Sequence, residues 1–454
     1  MASGSRACCI RASPGMTIAR VKDQVCEHAG IPPEEQRLFT KGCELEGEAP
    51  VLEHDFLELT LVRSVSDLRV SNLSHFHSSA PEEIPMLPRG AFTEVRKIAK
   101  GIHGEIIKYR WRSDQSEEIV AVKRLRTNDV QQVRGTETDE RCIHLMPGRC
   151  KSRYAEDALT EIGVLSYLSR QPDLPGCLLR LLGVFRLGPF TWLVTEFADG
   201  GELFNVVASR RLAEAEVKQY ILQILEAVAY LHRHYIGHRD ISLENVLLKN
   251  GKVKLMDFGM SVRSHTASGS PLRFFRAVGK NFYRAPECYV PRASELKVVA
   301  PQGSAPGDVV LAKVKLVEMF LCEARLPEQF SPGSLCVAET WGYAAQLADM
   351  FAVGVCMFIL AFQCPPWREA RLTDPYFAII HEMGMPAGIE KHLRQWKKSG
   401  YLCKEAMQML TSLLSIEPAL RPSAADCLKD MPWLAQSVTS KEHRQQVACE
   451  LGGG

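Results

Sequence analysis

His238-Arg239-Asp240-Ile241-Ser242-Leu243-Glu244-Asn245 places a carboxylate and a carboxamide five residues apart on one short segment. Side chains of these types can accept a proton and offer oxygen to a hard cation. A second aspartate, Asp257, follows Val253-Lys254-Leu255-Met256, an apolar run that reads as a short strand leading into the Phe258-Gly259 turn. Upstream, the β-branched strand Ile119-Val120-Ala121-Val122 ends on Lys123, an ammonium suited to an anionic ligand. Singly, each feature is ordinary: a His-Arg-Asp tripeptide usually sits on a solvated turn, and Gly101-Ile102-His103-Gly104 would usually close a plain hairpin. Their order along one chain is what carries meaning.

That order resembles the eukaryotic protein kinase family, of the serine/threonine type. His238 to Asn245 matches H-R-D-x-x-x-x-N, Asp257-Phe258-Gly259 matches D-F-G, and Ile119 to Lys123 is similar to V-A-I-K. The resemblance implies that Asp240 takes the proton of the attacking hydroxyl, that Asn245 and Asp257 hold magnesium, and that Lys123 reaches the α- and β-phosphates of ATP. The stretch Asp157 to Leu168, with Ile162, Leu165 and Leu168 at helical spacing, supplies Glu161 to orient Lys123, with Glu156 as a second choice. Tyr283-Arg284-Ala285-Pro286-Glu287 matches the A-P-E that ends an activation segment, and Arg421 is the expected partner of Glu287. In the phosphate-covering loop Ala99 replaces the first glycine, leaving Gly101 and Gly104 at the turn. Thr195-Glu196-Phe197-Ala198 resembles the hinge, with Thr195 as gatekeeper and backbone groups of Glu196 and Ala198 facing adenine. Ile106, Ala121 and Leu247 would sandwich the base, although plain core positions fit their apolarity equally well. Leu165, Leu181, Phe258 and His238 would stack between the lobes and rest on Asp349.

The chain departs from the family where substrate and control are decided. Ser242 stands where serine/threonine kinases carry a lysine, and Lys280 stands where they carry a threonine. The two changes read as a reciprocal exchange that returns a cation to the transferred phosphoryl group. Glu202 and Glu244 match acidic positions that favour basic residues before the acceptor in protein substrates. The activation-segment position that usually bears a phosphate for Arg239 is Arg276, and the nearest hydroxyls are Thr266, Ser268 and Ser270. The expectation is either a loop ordered without phosphorylation, by the insertion or by the N-terminal unit, or a serine of this cluster that substitutes at some cost in geometry; the first is preferred. Two readings follow: an active ATP- and Mg2+-dependent serine/threonine kinase, or a pseudokinase scaffold that binds partners through the same fold.

The elements that must position these residues span about 92–435, an α+β, two-lobed kinase fold with insertions at 127–153 and 288–342. Val309 to Leu326 reads as a helix packed on the large lobe. Leu347 to Phe362 is apolar enough to imitate a membrane span, but its length and Asp349 favour a buried helix. Ahead of the kinase, residues 7–63 form a partial β-grasp unit. Gly30-Ile31-Pro32-Pro33-Glu34-Glu35-Gln36-Arg37-Leu38 resembles ubiquitin, with the first hairpin half missing and Phe39 near the apolar binding patch. Partners of the ubiquitin-binding type are expected there. Residues 64–91 read as a flexible linker and 436–454 as a polar tail. A net charge of +2 excludes a basic surface spread over the whole molecule, so no nucleic-acid partner is expected. The 15 cysteines, without a C-x-x-C pair, and an N-terminus lacking an apolar core point to a reducing compartment, the cytoplasm, with nuclear access left open. Cys142, His144 and Cys150 lack a fourth ligand at metal-site spacing.

Overall fold

The computed structural model of the chain describes residues 10, 16–29, 36–40, 43–45, 59–63, 84–88, 90–101, 104–112, 117–127, 158–265, 271–291, 295–315 and 319–435. Glu156, Cys142, His144, Cys150, Thr266, Ser268 and Ser270, the tail 436–454 and the side chain of Phe39 lie outside them.

In the N-terminal unit, helix α1 (Ile18–Ala29) presents Ile18, Val21 and Val25 on one face, where they pack with Leu38. Leu38 comes from β1 (Gln36–Thr40), the middle strand between β2 (Cys43–Leu45) and β3 (Thr60–Arg63). Ile10 and Met16 border this core; most of the predicted first hairpin lies outside the described residues.

The small lobe is an antiparallel sheet built from β4 (Phe92–Lys100), β5 (Gly104–Arg112), β6 (Glu117–Arg126), β7 (Leu181–Leu187) and β8 (Phe190–Glu196), in the order β4-β5-β6-β8-β7. Alternation divides its side chains. Ile107, Tyr109, Val120, Val122, Trp192 and Val194 make a core on one face. Helix α2 (Ala158–Ser169) covers the other. Residues at the end of the predicted flexible linker are in fact tied down: Leu87 N donates to Arg186 O at 2.9 Å, and Arg186 N to Pro85 O at 2.8 Å. The β7 edge offers unpaired backbone groups, and this segment satisfies them.

The large lobe contains α3 (Leu203–Ser209), α4 (Glu214–Arg233), the catalytic segment with hairpin β10 (Val246–Lys249) and β11 (Lys252–Leu255), and the short pair β9 (Ile236–Gly237) with β12 (Val262–Arg263). Its centre is α5 (Ala345–Phe362), apolar around nearly its whole circumference and therefore enclosed. This helix is long and apolar enough to cross a membrane, but 89% of it is buried within the lobe. Helices α6 (Pro375–Met383), α7 (Ala387–Gln395), α8 (Lys404–Leu413), α9 (Ala424–Asp430) and α10 (Pro432–Ala435) complete the lobe.

Residues 295–340 overturn one expectation. The predicted helix over 309–326 is a hairpin, β14 (Val309–Lys315) and β15 (Met319–Arg325), within a four-stranded antiparallel sheet with β13 (Glu295–Val299) and β16 (Leu335–Thr340), ordered β13-β16-β15-β14. β-branched Val309, Val310 and Val314 favour strand, and Ala312 and Val314 alternate with exposed Lys313. β15 hides its period because both faces are covered. Cys322 and Ala324 join the sheet's own core, while Leu321 joins that of the large lobe.

Candidate active site

The small-lobe register explains how the residues read as nucleotide-facing gather. Ile106 lies opposite Lys123, and Ala121 opposite Thr195. Lys123 and Ala121 are two residues apart, so all four share the face opposite the aromatic core. Ala99 pairs with Ile106 at the end of the β4–β5 hairpin, which Gly101 N closes on Gly104 O at 2.7 Å. A Cβ on Gly104 would lie 1.8 Å from the Arg124 carbonyl, so sheet packing alone requires this glycine. From α2, Glu161 reaches Lys123 at 2.6 Å. Burial pushes the Glu161 carboxyl up, Lys123 opposes this, and the nearby Asp257 carboxylate adds to it. Three groups from three elements thus converge.

At the hinge, Thr195 and Ala198 are buried. Glu196 N donates to Arg180 O at 3.0 Å. The Glu196 side chain binds Lys249 at 2.8 Å and Lys254 at 2.7 Å, pinning the strand that leaves the small lobe to the β10–β11 hairpin. Burial opposes its charge, but the two ammonium groups prevail and hold the carboxyl below its usual range. Leu247 is half-buried between buried Val246 and Leu248, pointing away from the large-lobe core.

The catalytic segment is suspended from α5. Asp349 accepts the backbone N–H groups of His238 and Arg239, each at 2.8 Å, and also contacts His232 Nε2 at 3.0 Å. This holds Arg239 at φ +66°, a left-handed conformation that costs a non-glycine residue free energy. His238 Nε2 meets Met256 O at 3.1 Å, and its Nδ1 accepts Asp240 N–H at 3.2 Å; the two partners fix the tautomer. His238 also lies 5.3 Å from the Phe258 ring, and Leu165 and Leu181 belong to or border the hydrophobic core that contains Phe258.

Asp240 is buried and oriented by two partners. Asn245 Nδ2 donates to its main-chain carbonyl and to its Oδ2, both at 2.7 Å. Lys280 Nζ stands 3.0 Å from the same Oδ2 and 2.9 Å from Ser242 Oγ. The cation expected at position 242 therefore arrives from the activation segment. With Nδ2 engaged, the Asn245 amide oxygen points the other way. That oxygen and the Asp257 carboxylate are both oxygen donors, the kind magnesium prefers. Asp257 sits at φ +65°. At the end of the activation segment, Glu287 and Arg421 form a two-pronged pair at 2.5 and 2.8 Å, both fully buried. Of the acidic pair read as substrate-binding, Glu244 accepts from Tyr283 Oη at 3.0 Å, and Glu202 bridges Leu247 through its backbone.

Comparison with known families matches a protein kinase domain over residues 92–297 and the ubiquitin family over 2–66. The chain carries a protein kinase domain behind a ubiquitin-like domain. Its kinase match ends inside β13, where the inserted sheet begins. Beyond the sheet, α5 supplies Asp349 to the backbone of His238, and Arg421 closes on Glu287. A kinase domain acts on protein substrates with ATP, and a ubiquitin-like domain serves protein interaction. Sequence reading missed Tyr343, which contacts Arg239 at 3.0 Å. Its signal was an aromatic residue after Trp341-Gly342, where an apolar insertion ends just before the core helix.

Proposed function

We propose that the chain is an active serine/threonine protein kinase that uses Mg2+-ATP, with its catalytic domain extending over 92–435 and its ubiquitin-like domain as an adaptor. The observation that carries this reading is Lys280 Nζ at 3.0 Å from Asp240 and 2.9 Å from Ser242. A decaying site would lose the cation, whereas here it is relocated. Asp240 accepts the proton of the substrate hydroxyl as the oxygen attacks the γ-phosphate. Lys123, held by Glu161, steadies the α- and β-phosphates, and Lys280 faces the charge that develops on the transferred group. Asp257 and Asn245 would hold magnesium, which would supply further neutralisation of phosphate charge. Ile106, Ala121 and Leu247 bracket the adenine, beneath the turn at Ala99, Gly101 and Gly104, with Thr195, Glu196 and Ala198 at the hinge.

The absence of the tyrosine-kinase arginine after Asp240 supports serine or threonine as acceptor, and Glu202 with Glu244 supports basic residues before it. The cytoplasm is the proposed place of action. Radiolabelled ATP and generic basic peptides, with purified protein beside its Asp240→Asn variant, test the reading. Transfer that the variant loses supports the kinase; no transfer by the wild type, with nucleotide still bound, favours the pseudokinase scaffold.

A further inference from the structure

The inserted sheet, through Glu323, and the stretch 341–343 that leads from it into α5 are bound to the activation segment at three consecutive levels. Arg273 Nη1 pairs with Glu323 of β15 at 2.7 Å, and its guanidinium lies 5.9 Å from the Trp341 ring, which Arg325 approaches at 4.9 Å. Phe274 and Tyr343 then exchange backbone hydrogen bonds, Phe274 N to Tyr343 O at 3.0 Å and Tyr343 N to Phe274 O at 2.9 Å, as a one-rung antiparallel ladder. Gly342, at φ +71°, makes that approach feasible, since a Cβ there would lie 2.6 Å from the Phe274 carbonyl. Finally, Tyr343 Oη donates to Arg276 O at 2.8 Å and accepts from Arg239 Nε at 3.0 Å, while Arg239 Nη2 approaches Arg276 O at 3.4 Å.

Arg239 directly precedes Asp240, and Arg276 occupies the segment position where a phosphate would meet it. A cationic side chain cannot supply that acceptor. The Tyr343 hydroxyl and the Arg276 carbonyl can, and both are already on the guanidinium, which also lies 5.1 Å from the Phe274 ring. A phosphate would add charge-assisted hydrogen bonds to an otherwise mobile loop. Here two nearly fully buried aromatic side chains and a backbone ladder supply the order instead, so neutral acceptors suffice. From Arg276 the segment runs to Lys280, whose N–H donates to Asp240 Oδ1 at 3.2 Å. The clamp therefore reaches the catalytic carboxylate through four residues.

We propose that Tyr343 is a positioning residue through which the inserted sheet does the work of an activation-segment phosphate, making the catalytic segment competent without phosphorylation. This rests on the reading of the chain as an active kinase. The test compares wild type, treated with phosphatase and checked by mass, with Tyr343→Phe and with a Thr266→Ala, Ser268→Ala, Ser270→Ala triple variant. Dephosphorylated wild type and the triple variant should keep kcat within about threefold, whereas Tyr343→Phe should lose about tenfold or more with KM for ATP within about twofold. Amide exchange over 274–280 should quicken in Tyr343→Phe while the thermal midpoint stays close to wild type. A merely structural tyrosine would lower the midpoint and leave kcat of the folded protein unchanged. Loss of about a hundredfold on phosphatase treatment, with Tyr343→Phe unimpaired, would overturn the proposal. If no form transfers phosphate, the kinase reading fails, but exchange over 274–280 still judges the clamp: unchanged exchange in Tyr343→Phe refutes it.

Discussion

Lys280 and Ser242 meet at 2.9 Å beside the Asp240 carboxylate, one from the segment before Glu287 and one from the segment that carries Asp240. A cation can serve the transferred phosphoryl group from either side, so the two positions should be interchangeable as a pair. Lys280→Thr alone is expected to lower kcat by about 10²-fold, the cost typical of removing one transition-state electrostatic contact. Lys280→Thr with Ser242→Lys should recover most of that loss. Steady-state kinetics of the two variants check this, and a double variant no faster than the single one removes the exchange.

Asp257 is held at φ +65°, which asparagine tolerates better than alanine. Asp257→Asn therefore isolates the charge from the backbone. Transfer should fall below detection while the thermal midpoint holds, and Lys123→Met should behave similarly. Ordinary turnover in Asp257→Asn would end its assignment as the metal ligand.

The Glu287–Arg421 pair is entirely buried, so removing one member strands the other charge. Arg421→Ala should cost about 3–5 kcal/mol of stability. Denaturant titration measures it, and a loss within experimental error would mean that water reaches the site.

Burial pushes the Glu323 carboxyl up to about 7, Arg273 pulls it down, and the Glu287 carboxylate adds to the rise. Folding thus raises this pKa. The group favours the folded state fully below its unfolded value near 4.5, and the contribution is lost as pH rises through about 7. Glu323→Gln cannot ionise. The thermal midpoint of wild type minus that of the variant should therefore fall between about pH 4 and about pH 8. A constant difference refutes the raised pKa.

Glu202 and Glu244 predict a preference for arginine two or three residues before the acceptor. A peptide array read with wild type and with Glu202→Ala, Glu244→Ala tests it. The Tyr283 hydroxyl already engages Glu244, so an unchanged preference would make that carboxylate a local anchor of the segment.

The site was legible where chemistry dictates residue type at fixed spacing. Lys123 meets Glu161, Asn245 meets Asp240, and Arg421 meets Glu287. The relation between Lys280 and Ser242 was legible because a missing charge demanded a substitute. Less legible were features set by tertiary context. β15 lost its period because it is covered on both faces, and Pro85 to Leu87 looked like linker because only the neighbouring edge strand gives them partners. Tyr343 carries no motif; only the fold brings it beside Arg239.

Asp349 lies more than a hundred positions beyond the two residues whose backbone it holds. A chain made at about 5–20 residues per second would leave the catalytic segment without its anchor for roughly 5–20 s, while the inserted sheet emerges. That sheet precedes α5 in synthesis, so its hairpins can form before the anchor arrives. Until α5 emerges, the backbone N–H groups of His238 and Arg239 lack their Asp349 acceptor.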